Sequence, residues 1–362
     1  MCRTDWLVLG LGVVTRKCRA NRVFHSVPFS EIERPSMKHS RLLTRYGAIA
    51  LTTLALSLPT IATRADEAAI ELYTGYGSRA SFLVEGRVVE QRAASSRTKE
   101  DNWLKNLWRT LRRFSNEELD NFPLRITLSG QTWPVTTDSE GYFRLEVANA
   151  ELPAGWHAVS AIASNETAAA QGEALIVSDT NSIGVISDMD DTLLVSDVNH
   201  KATLMANTFL KNSLQRVAVP GAAQFIRDVV ARNSNPDSAA VIYLSASPRQ
   251  LYGNITEFLV HNDFPRGVLI AKRVSEDKTS DPLFDQFAYK TAKIADIFKR
   301  LPNTAFVLMG DDGEKDPEIY HDIVLRFPNR VSAVYIRKVN PDSSRPRYPE
   351  QLDYVGAAGS EK

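Results

Sequence analysis

Three carboxylates follow a short apolar run near the middle of the chain. The run covers residues 183–186, and Asp188, Asp190 and Asp191 come after it. Such a run is typical of a buried parallel strand, and α/β sheets bind ligands beyond the carboxyl ends of their strands. Because clustered carboxylates repel one another, they imply a divalent cation, and hard oxygen ligands suit Mg²⁺ better than zinc. The run therefore predicts an α/β fold with a magnesium site at one edge of its sheet.

Apolar strands and helical stretches alternate from residue 183 onward. The strands are predicted over 183–186, 241–244, 306–309 and 331–336, and the helices around 221–232, 248–262 and 288–301. Alternation of this kind indicates a parallel, doubly wound sheet with helices on its faces. We assign it to a domain over residues 179–340.

The region before this domain has a different pattern. Apolar and polar residues alternate over 82–89, 124–128 and 142–147, which indicates antiparallel strands. The turn at 137–143 resembles hairpins of transthyretin-like sandwiches, so we predict a small antiparallel β-sandwich over residues 66–178. At the other end, the polar residues 341–362 are predicted to form a loosely ordered tail.

Polar side chains also follow the later strands of the predicted sheet. Ser245 ends the strand at 241–244, and Asp311 and Asp312 follow the strand at 306–309, with Asp316 close behind. Lys290 lies near a helix start, where a simple solvated lysine is the alternative. Since parallel strands present their carboxyl ends at one edge, these residues are expected to line one site.

The ordered set of these residues resembles the four motifs of the haloacid-dehalogenase superfamily. The run 188–192 resembles the first motif, Ser245 and Lys290 the second and third, and residues 310–316 the fourth. Within that superfamily, segments 243–252 and 310–320 are similar to the actin-patch phosphatidate phosphatases of fungi and their bacterial relatives. The resemblance implies a Rossmann-like domain and a magnesium-dependent phosphoric monoester hydrolase.

The resemblance also implies a role for each of the residues at the first motif. Asp188 is expected to attack phosphorus and form an aspartyl-phosphate. Asp190 is expected to act as general acid and then as general base, and its backbone carbonyl would join Asp188 and Asp311 around Mg²⁺. Thr192 is expected to support the geometry of the loop.

The other motifs carry supporting roles. Lys290 would neutralise the nucleophile and the phosphoryl oxygens, and Ser245 would hydrogen-bond one of those oxygens. Asp316 would orient Lys290 or a metal-bound water. We favour Asp311 over Asp312 as the metal ligand and treat Asp312 as supporting, and Asp197 is an alternative loop ligand.

The sequence constrains the identity of the substrate less than it constrains the type of reaction. A phosphatase that converts phosphatidate to diacylglycerol is the first hypothesis, an exported phosphatase of a soluble ester is the second, and a non-catalytic binding protein is the third. Arg249 stands where an aromatic residue is expected in many relatives, which bears on substrate identity. Residues 253–288 are a candidate lid over the site.

Segment 102–114 offers one feature that favours a lipid. Trp103, Leu107, Leu111 and Phe114 share one helical face, and arginines lie off it at 109, 112 and 113. Basic amphipathic helices of this kind bind anionic membranes in the interface plane. Packing of the apolar stripe against the rest of the protein is the alternative.

The first 65 residues are predicted to form an upstream segment and a signal peptide. Met37 is the expected true start, because basic residues follow it, then an apolar run from 46 to 61, then small residues. Cleavage after Ala62 or Ala65 would give an exported periplasmic or secreted protein, and a retained anchor is the alternative.

Composition excludes two classes of function. Ten of the 43 basic and three of the 43 acidic residues lie in 1–65, which leaves 33 and 40, so the mature protein would be net acidic and no nucleic-acid binder. Both cysteines, Cys2 and Cys18, also lie there, which excludes thiol catalysis and a cysteine zinc site.

Overall fold

The computed structural model describes residues 68–90, 119–148, 152–166, 168–195, 213–274, 281–282, 285–340, 342 and 344–354. All of them belong to one compact unit. The upstream segment 1–65, the amphipathic segment 102–114 and Asp197 lie outside the described residues, so the predictions made for them stay predictions. Among the described helices, none has the length and apolar character needed to cross a membrane.

The first part of the described chain, residues 68–177, is a β-rich region built from one hydrogen-bonded sheet. Its strands are β1 (Ala68–Leu72), β2 (Gly75–Gly77), β3 (Ser81–Glu90), β4 (Pro123–Leu128), β5 (Gln131–Thr136), β6 (Tyr142–Ala148), β7 (Gly155–Ala163) and β8 (Ala169–Ile176). They follow the order β1-β3-β2-β8-β7-β4-β5, with β6 paired to β3. All pairs are antiparallel except β2–β8, which is parallel and was not expected. The layering of this region as a sandwich stays a prediction.

The β-rich region has its own core. Leu124, Ile126 and Leu128 alternate along β4 and are buried against Phe82 and Val159. The intervening residues of β4 point away from this core, as the period of two requires. The β-rich region therefore has a hydrophobic core that is formed by its own residues.

The second part of the described chain contains a parallel sheet of six strands. They are β9 (Ile183–Asp188), β12 (Val241–Pro248), β13 (Val268–Lys272), β14 (Ala305–Asp311), β15 (Val331–Arg337) and β16 (Gln351–Asp353). Their order is β13-β12-β9-β14-β15-β16, and every neighbouring pair is parallel. A short pair, β10 (Leu194–Val195) and β11 (Val217–Ala218), follows β9 in the chain.

Within the described residues, four α-helices cover the two faces of the parallel sheet. They are α1 (Ala222–Val230), α2 (Tyr252–His261), α3 (Gln286–Arg300) and α4 (Asp316–Arg326). Val185 belongs to the core beneath α1 and α2, and the next residue, Ile186, belongs to the core beneath α3 and α4. Strands buried on both faces read as continuous apolar runs, which is why they were recognisable in the sequence. The predicted α/β class with a parallel sheet is confirmed.

Helix α3 begins two residues earlier than the sequence predicts. Asp285 precedes it, and the Asp285 side chain accepts a hydrogen bond of 3.0 Å from the backbone N–H of Ala288. This cap satisfies one of the free amides of the first turn. Lys290 consequently lies beyond the first turn of the helix.

The predicted loose tail is wrong for its described part. Strand β16 pairs with β15 through Val334, Tyr335 and Ile336, and Tyr354 is buried in the core under α1 and α2. The sequence pattern missed this strand because it has only three residues. The domain therefore extends past residue 340.

The β-rich region packs on the parallel-sheet domain. Tyr76, Leu83 and Leu175 of the β-rich region share one core with Leu244 and Tyr289. Trp156 donates a hydrogen bond of 3.1 Å to the carbonyl of Asp237 at the same junction. The two parts thus share buried apolar surface.

Candidate active site

The site lies where the order of the parallel sheet reverses. Strands β9 and β14 are neighbours at the centre of the sheet, with Ser187 opposite Met309, and the chain continues from them toward opposite edges. Crevices form beyond the carboxyl ends of strands at such a switch point. Asp188 and Asp311, the last residues of β9 and β14, therefore lie side by side.

Lys290 connects the carboxylates at this edge. Its Nζ lies 2.7 Å from Asp188 Oδ1, 2.5 Å from Asp316 Oδ1 and 3.7 Å from Glu314 Oε2. The side chain has no exposed surface, so the solvated alternative for Lys290 is wrong. Burial acts to lower the pKa of Lys290, but Asp188 and Asp316 outweigh it and hold that pKa well above its usual range. Lys290 is a buried cation paired with two carboxylates.

Asp188, Asp311 and Asp316 form a cluster that suits a hard cation. One oxygen of each lies within 4.8 Å of the others. Within the described part of the chain, Asp188 Oδ2 and Asp311 Oδ2 are buried and accept no hydrogen bond. Burial raises the pKa of both groups. Buried carboxylate oxygens without a donor are costly, and a divalent cation with oxygen ligands relieves that cost. The donor set therefore fits Mg²⁺.

The loop after β14 shapes this cluster. Asp311 Oδ1 accepts hydrogen bonds from the backbone N–H groups of Gly313 at 2.7 Å and Glu314 at 3.2 Å. A Cβ atom on Gly310 would lie 2.5 Å from Asp316 Oδ2, which leaves no room for a side chain there. The loop amides thus occupy Asp311 Oδ1, and Asp311 Oδ2 accepts no hydrogen bond.

Asp312 serves a different part of the structure. Its Oδ1 accepts hydrogen bonds from the backbone N–H groups of Val339 at 2.7 Å and Asn340 at 2.8 Å. Its carbonyl accepts one from Arg345 Nε at 2.9 Å, and Arg345 also pairs with Glu318. The geometry thus places Asp311, and not Asp312, in the carboxylate cluster. Asp312 joins the loop to the C-terminal segment.

Asp190 and Thr192 lie in the turn that follows β9. Asp190 is half-buried, and its burial raises the pKa to about 6 although Arg216 acts to lower it. Asp191 takes a left-handed backbone conformation at φ 55°, and its carbonyl accepts a hydrogen bond of 2.6 Å from Arg337 Nη1. Thr192 is completely buried. Glu314 and Lys290 also act on the pKa of Asp190, so this turn holds Asp190 near the cluster of Asp188, Asp311 and Asp316.

Ser245 ends the regular part of strand β12. Ser245 is buried, and its Oγ accepts a hydrogen bond of 3.0 Å from the backbone N–H of Ser247. Its carbonyl accepts one of 3.0 Å from Tyr289 Oη, on the helix that carries Lys290. Tyr289 thus ties the backbone of Ser245 to the helix that carries Lys290.

Three contributors to the site were missed in the sequence. Glu314 approaches Lys290, and Arg216 lies near Asp190. Tyr320 donates a hydrogen bond of 2.9 Å to the carbonyl of Met309 and lies beside the cluster. Glu314 and Tyr320 follow Asp311 closely in the chain, so the sequence could have indicated that they lie near the site. Arg216 is distant from the other site residues in the sequence, and nothing there indicated its position.

Arg249 points away from the cluster and into the β-rich region. It is buried, and its Nη2 lies 3.0 Å from Glu85 Oε2. Arg249, at which this chain departs from many relatives, therefore forms a contact between the two parts of the protein.

Residues 183–338 match the family model described as Phosphatidate phosphatase APP1, catalytic domain. The chain is 32% identical over 174 residues to phosphatidate phosphatase APP1 of Saccharomyces cerevisiae, which covers 47% of this chain and 28% of the yeast protein. It is 30% identical over 166 residues to an uncharacterized protein of Schizosaccharomyces pombe, covering 46% of this chain and 27% of that protein. The chain thus spans under a third of the length of these relatives.

Among solved structures, one chain of the Pnkp1/Rnl/Hen1 complex is similar to 44% of this chain, and the likeness covers 47% of that chain. The identity is 17% and the TM-score 0.29. A score this low does not establish a shared fold.

Proposed function

We propose that this chain hydrolyses a phosphate monoester, most specifically phosphatidate to diacylglycerol, because residues 183–338 match the family model of the phosphatidate phosphatase APP1 catalytic domain. The observation that carries the proposal is the position of Lys290 between Asp188 and Asp316, beside the free buried oxygens of Asp188 and Asp311. A buried nucleophilic carboxylate, a fixed cation and a hard-cation site are the parts that phosphoryl transfer requires.

The sheet order supports a Rossmann-like domain of the haloacid-dehalogenase type. Counted from β9, the six strands run in the order 3-2-1-4-5-6, which is the order of doubly wound dinucleotide-type sheets. The proposed nucleophile ends the first strand, as the resemblance requires.

The proposed reaction has two steps. A carboxylate oxygen of Asp188 attacks phosphorus while the bond to the alcohol oxygen breaks, and Asp190 gives that oxygen its proton. Water then attacks the aspartyl-phosphate, Asp190 takes a proton from it, and the bond between Asp188 and phosphorus breaks to release phosphate. The raised pKa of Asp190, about 6, keeps a protonated fraction near neutral pH, as a general acid needs.

Three groups would stabilise the charge that moves during these steps. Lys290 pairs with Asp188 and would also neutralise the phosphoryl oxygens. Ser245 Oγ would donate to one phosphoryl oxygen. Asp188 and Asp311, with the carbonyl of Asp190, would hold Mg²⁺, which supplies further charge neutralisation when bound.

Two features support a lipid substrate: the similarity to the yeast phosphatidate phosphatase APP1 and segment 102–114. The arginines at 109, 112 and 113 would bring an exported enzyme to an anionic bilayer, where each basic residue contributes about 1 kcal/mol. Replacing all three with Gln should slow hydrolysis of phosphatidate vesicles and leave a water-soluble ester unchanged. An equal effect on both substrates would mean that the segment packs within the protein.

Phosphate release in the presence of Mg²⁺ tests the activity itself. The wild-type chain should release phosphate from phosphatidate vesicles, and Asp188→Asn should release none. Release from soluble monoesters alone would support the exported soluble-ester phosphatase instead. No release from either class by the folded wild-type chain would contradict the proposed function.

A further inference from the structure

One ion pair joins the segment that carries Ser245 to the β-rich region. Arg249 lies four residues after Ser245 and has an exposed side-chain fraction of 8%. Its Nη2 is 3.0 Å from Glu85 Oε2, on strand β3. Arg249 Nε also donates to the carbonyl of Ala271 at 3.3 Å, on strand β13. Arg249 thus contacts both a neighbouring strand of its own sheet and the other part of the protein.

The backbone between Ser245 and Arg249 needs such support. The pairing of β12 with β13 is regular up to Ser245 opposite Ala271 and then shifts, so that Pro248 lies opposite Lys272. An irregularity of this kind leaves residues without regular strand-to-strand hydrogen bonds, and it changes the direction in which the neighbouring side chains point. The position of the Ser245 hydroxyl therefore depends on what holds the far end of the shifted segment.

The β-rich region surrounds that far end. The Arg249 guanidinium lies over the rings of Tyr73 at 5.4 Å and Tyr142 at 5.6 Å. Tyr252 accepts a hydrogen bond of 2.8 Å from the backbone N–H of Thr74 and donates one of 3.0 Å to its hydroxyl. Among the contacts described, Glu85 supplies the carboxylate that neutralises Arg249.

We propose that Glu85 is a positioning residue for Ser245, acting through Arg249, so that the β-rich region is a working part of the active site. The idea rests on the proposed function, since Ser245 acts there as a donor to a phosphoryl oxygen. Removal of the Glu85 charge leaves a buried, unpaired guanidinium, which must move toward water. That movement displaces segment 245–248, and small displacements of a catalytic group cost up to about 100-fold in rate.

The test compares Glu85→Gln with a matched variant at the same junction. Arg266 pairs with Glu173 of the β-rich region, but both side chains are half exposed, at 51% and 50%. Glu85→Gln should lower kcat/KM by about 10- to 100-fold, and Glu173→Gln should change it less than about twofold. Equal, small effects of both variants in an active enzyme would overturn the proposal.

A double-mutant cycle separates positioning from general damage. In a Ser245→Ala background, Glu85→Gln should cost little more, because contacts that act through one residue are not additive. If the two losses multiply, Glu85 does not act through Ser245. If Glu85→Gln does not fold, the double variant Glu85→Gln with Arg249→Met removes both charges and should fold, yet it should show the same low kcat/KM.

Amide hydrogen exchange gives a readout that does not depend on activity. Residues 245–252 should exchange faster in Glu85→Gln than in the wild type, and should be unchanged in Glu173→Gln. Unchanged exchange in both variants would overturn the proposal even if the wild-type chain hydrolyses no ester. Failure of the proposed function would appear instead as an inactive wild type with the exchange difference intact.

Discussion

Lys290 Nζ and Asp316 Oδ1 lie 2.5 Å apart, and neither side chain has any exposed surface. Asp316 is the first residue of α4, where the helix dipole favours a negative charge. Burial raises the pKa of Asp316, and the lysine opposes this effect by favouring the charged carboxylate, as the helix dipole does. Asp316 fixes Lys290 so that its ammonium group also contacts Asp188.

Lys290→Met should lower kcat without abolishing folding. In the proposed reaction the variant lacks the cation that would face the transferring phosphoryl group, and loss of one such stabilising group costs about 10²–10³ in kcat. It also leaves Asp316 and Asp188 without their partner, so we expect the free energy of unfolding to fall by about 3–5 kcal/mol. Steady-state kinetics and urea titration measure the two effects. A stable variant with wild-type kcat would contradict the role of Lys290.

The loss of kcat in Asp190→Asn should depend on the leaving group of the substrate. With an alkyl phosphate the variant lacks the proposed proton donor, and we expect a loss of about 10²–10⁴ in kcat. With an aryl phosphate, whose leaving group needs little protonation, the loss should be much smaller. Parallel assays of one alkyl and one aryl ester measure the ratio, and equal losses would mean that Asp190 is not the general acid.

Asp311→Asn and Asp312→Asn should affect different properties of the protein. Asp311 offers a free buried oxygen, so its replacement should raise the Mg²⁺ concentration needed for half-maximal activity. Asp312 instead binds two backbone N–H groups of the loop at 339–340, so its replacement should mainly lower the free energy of unfolding, by about 1–3 kcal/mol.

Titration of Mg²⁺ after treatment with EDTA measures the first effect, and urea unfolding measures the second. EDTA should abolish activity of the wild-type chain, and Mg²⁺ should restore it. If Asp312→Asn were the variant with the altered Mg²⁺ requirement, the assignment of the two acids would be reversed.

The pair between Glu85 and Arg249 should make stability depend on pH. Burial acts to raise the pKa of Glu85, but Arg249 and Arg144 outweigh it and lower that pKa below its usual value of 4.5. A carboxylate with a lowered pKa stabilises the folded state above the unfolded-state pKa, and this contribution is lost as the pH falls through the folded-state pKa.

The free energy of unfolding of the wild type should therefore fall relative to Glu85→Gln as the pH drops from about 5 to about 3. Chemical denaturation at several pH values measures the difference. A difference that does not change over this range would show that the ion pair is not a source of stability.

The parts of the site predicted from the sequence are those fixed by local pattern and strand order. Asp188 and Asp311 each end an apolar run, and parallel strands bring such ends to one edge of a sheet. The burial of Lys290 could not be predicted from the sequence, because Asp188 and Asp316, which surround its ammonium group, are distant from it in the chain. The pair between Arg249 and Glu85 joins residues far apart in the chain, and no periodicity reports such a contact. Strand β16 was too short to show a pattern.

The C-terminal segment supplies the edge strand of the parallel sheet, although it lies outside the residues that match the family model. The family match ends at residue 338, but β16 at 351–353 pairs with β15, and Arg345 joins the Asp312 loop to Glu318 on α4. A fragment cut at 338 would leave the amide and carbonyl groups along β15 open on one side. Open strand edges recruit other chains. Such a fragment should self-associate through β15, while the Asp312 loop beside the site loses its anchor.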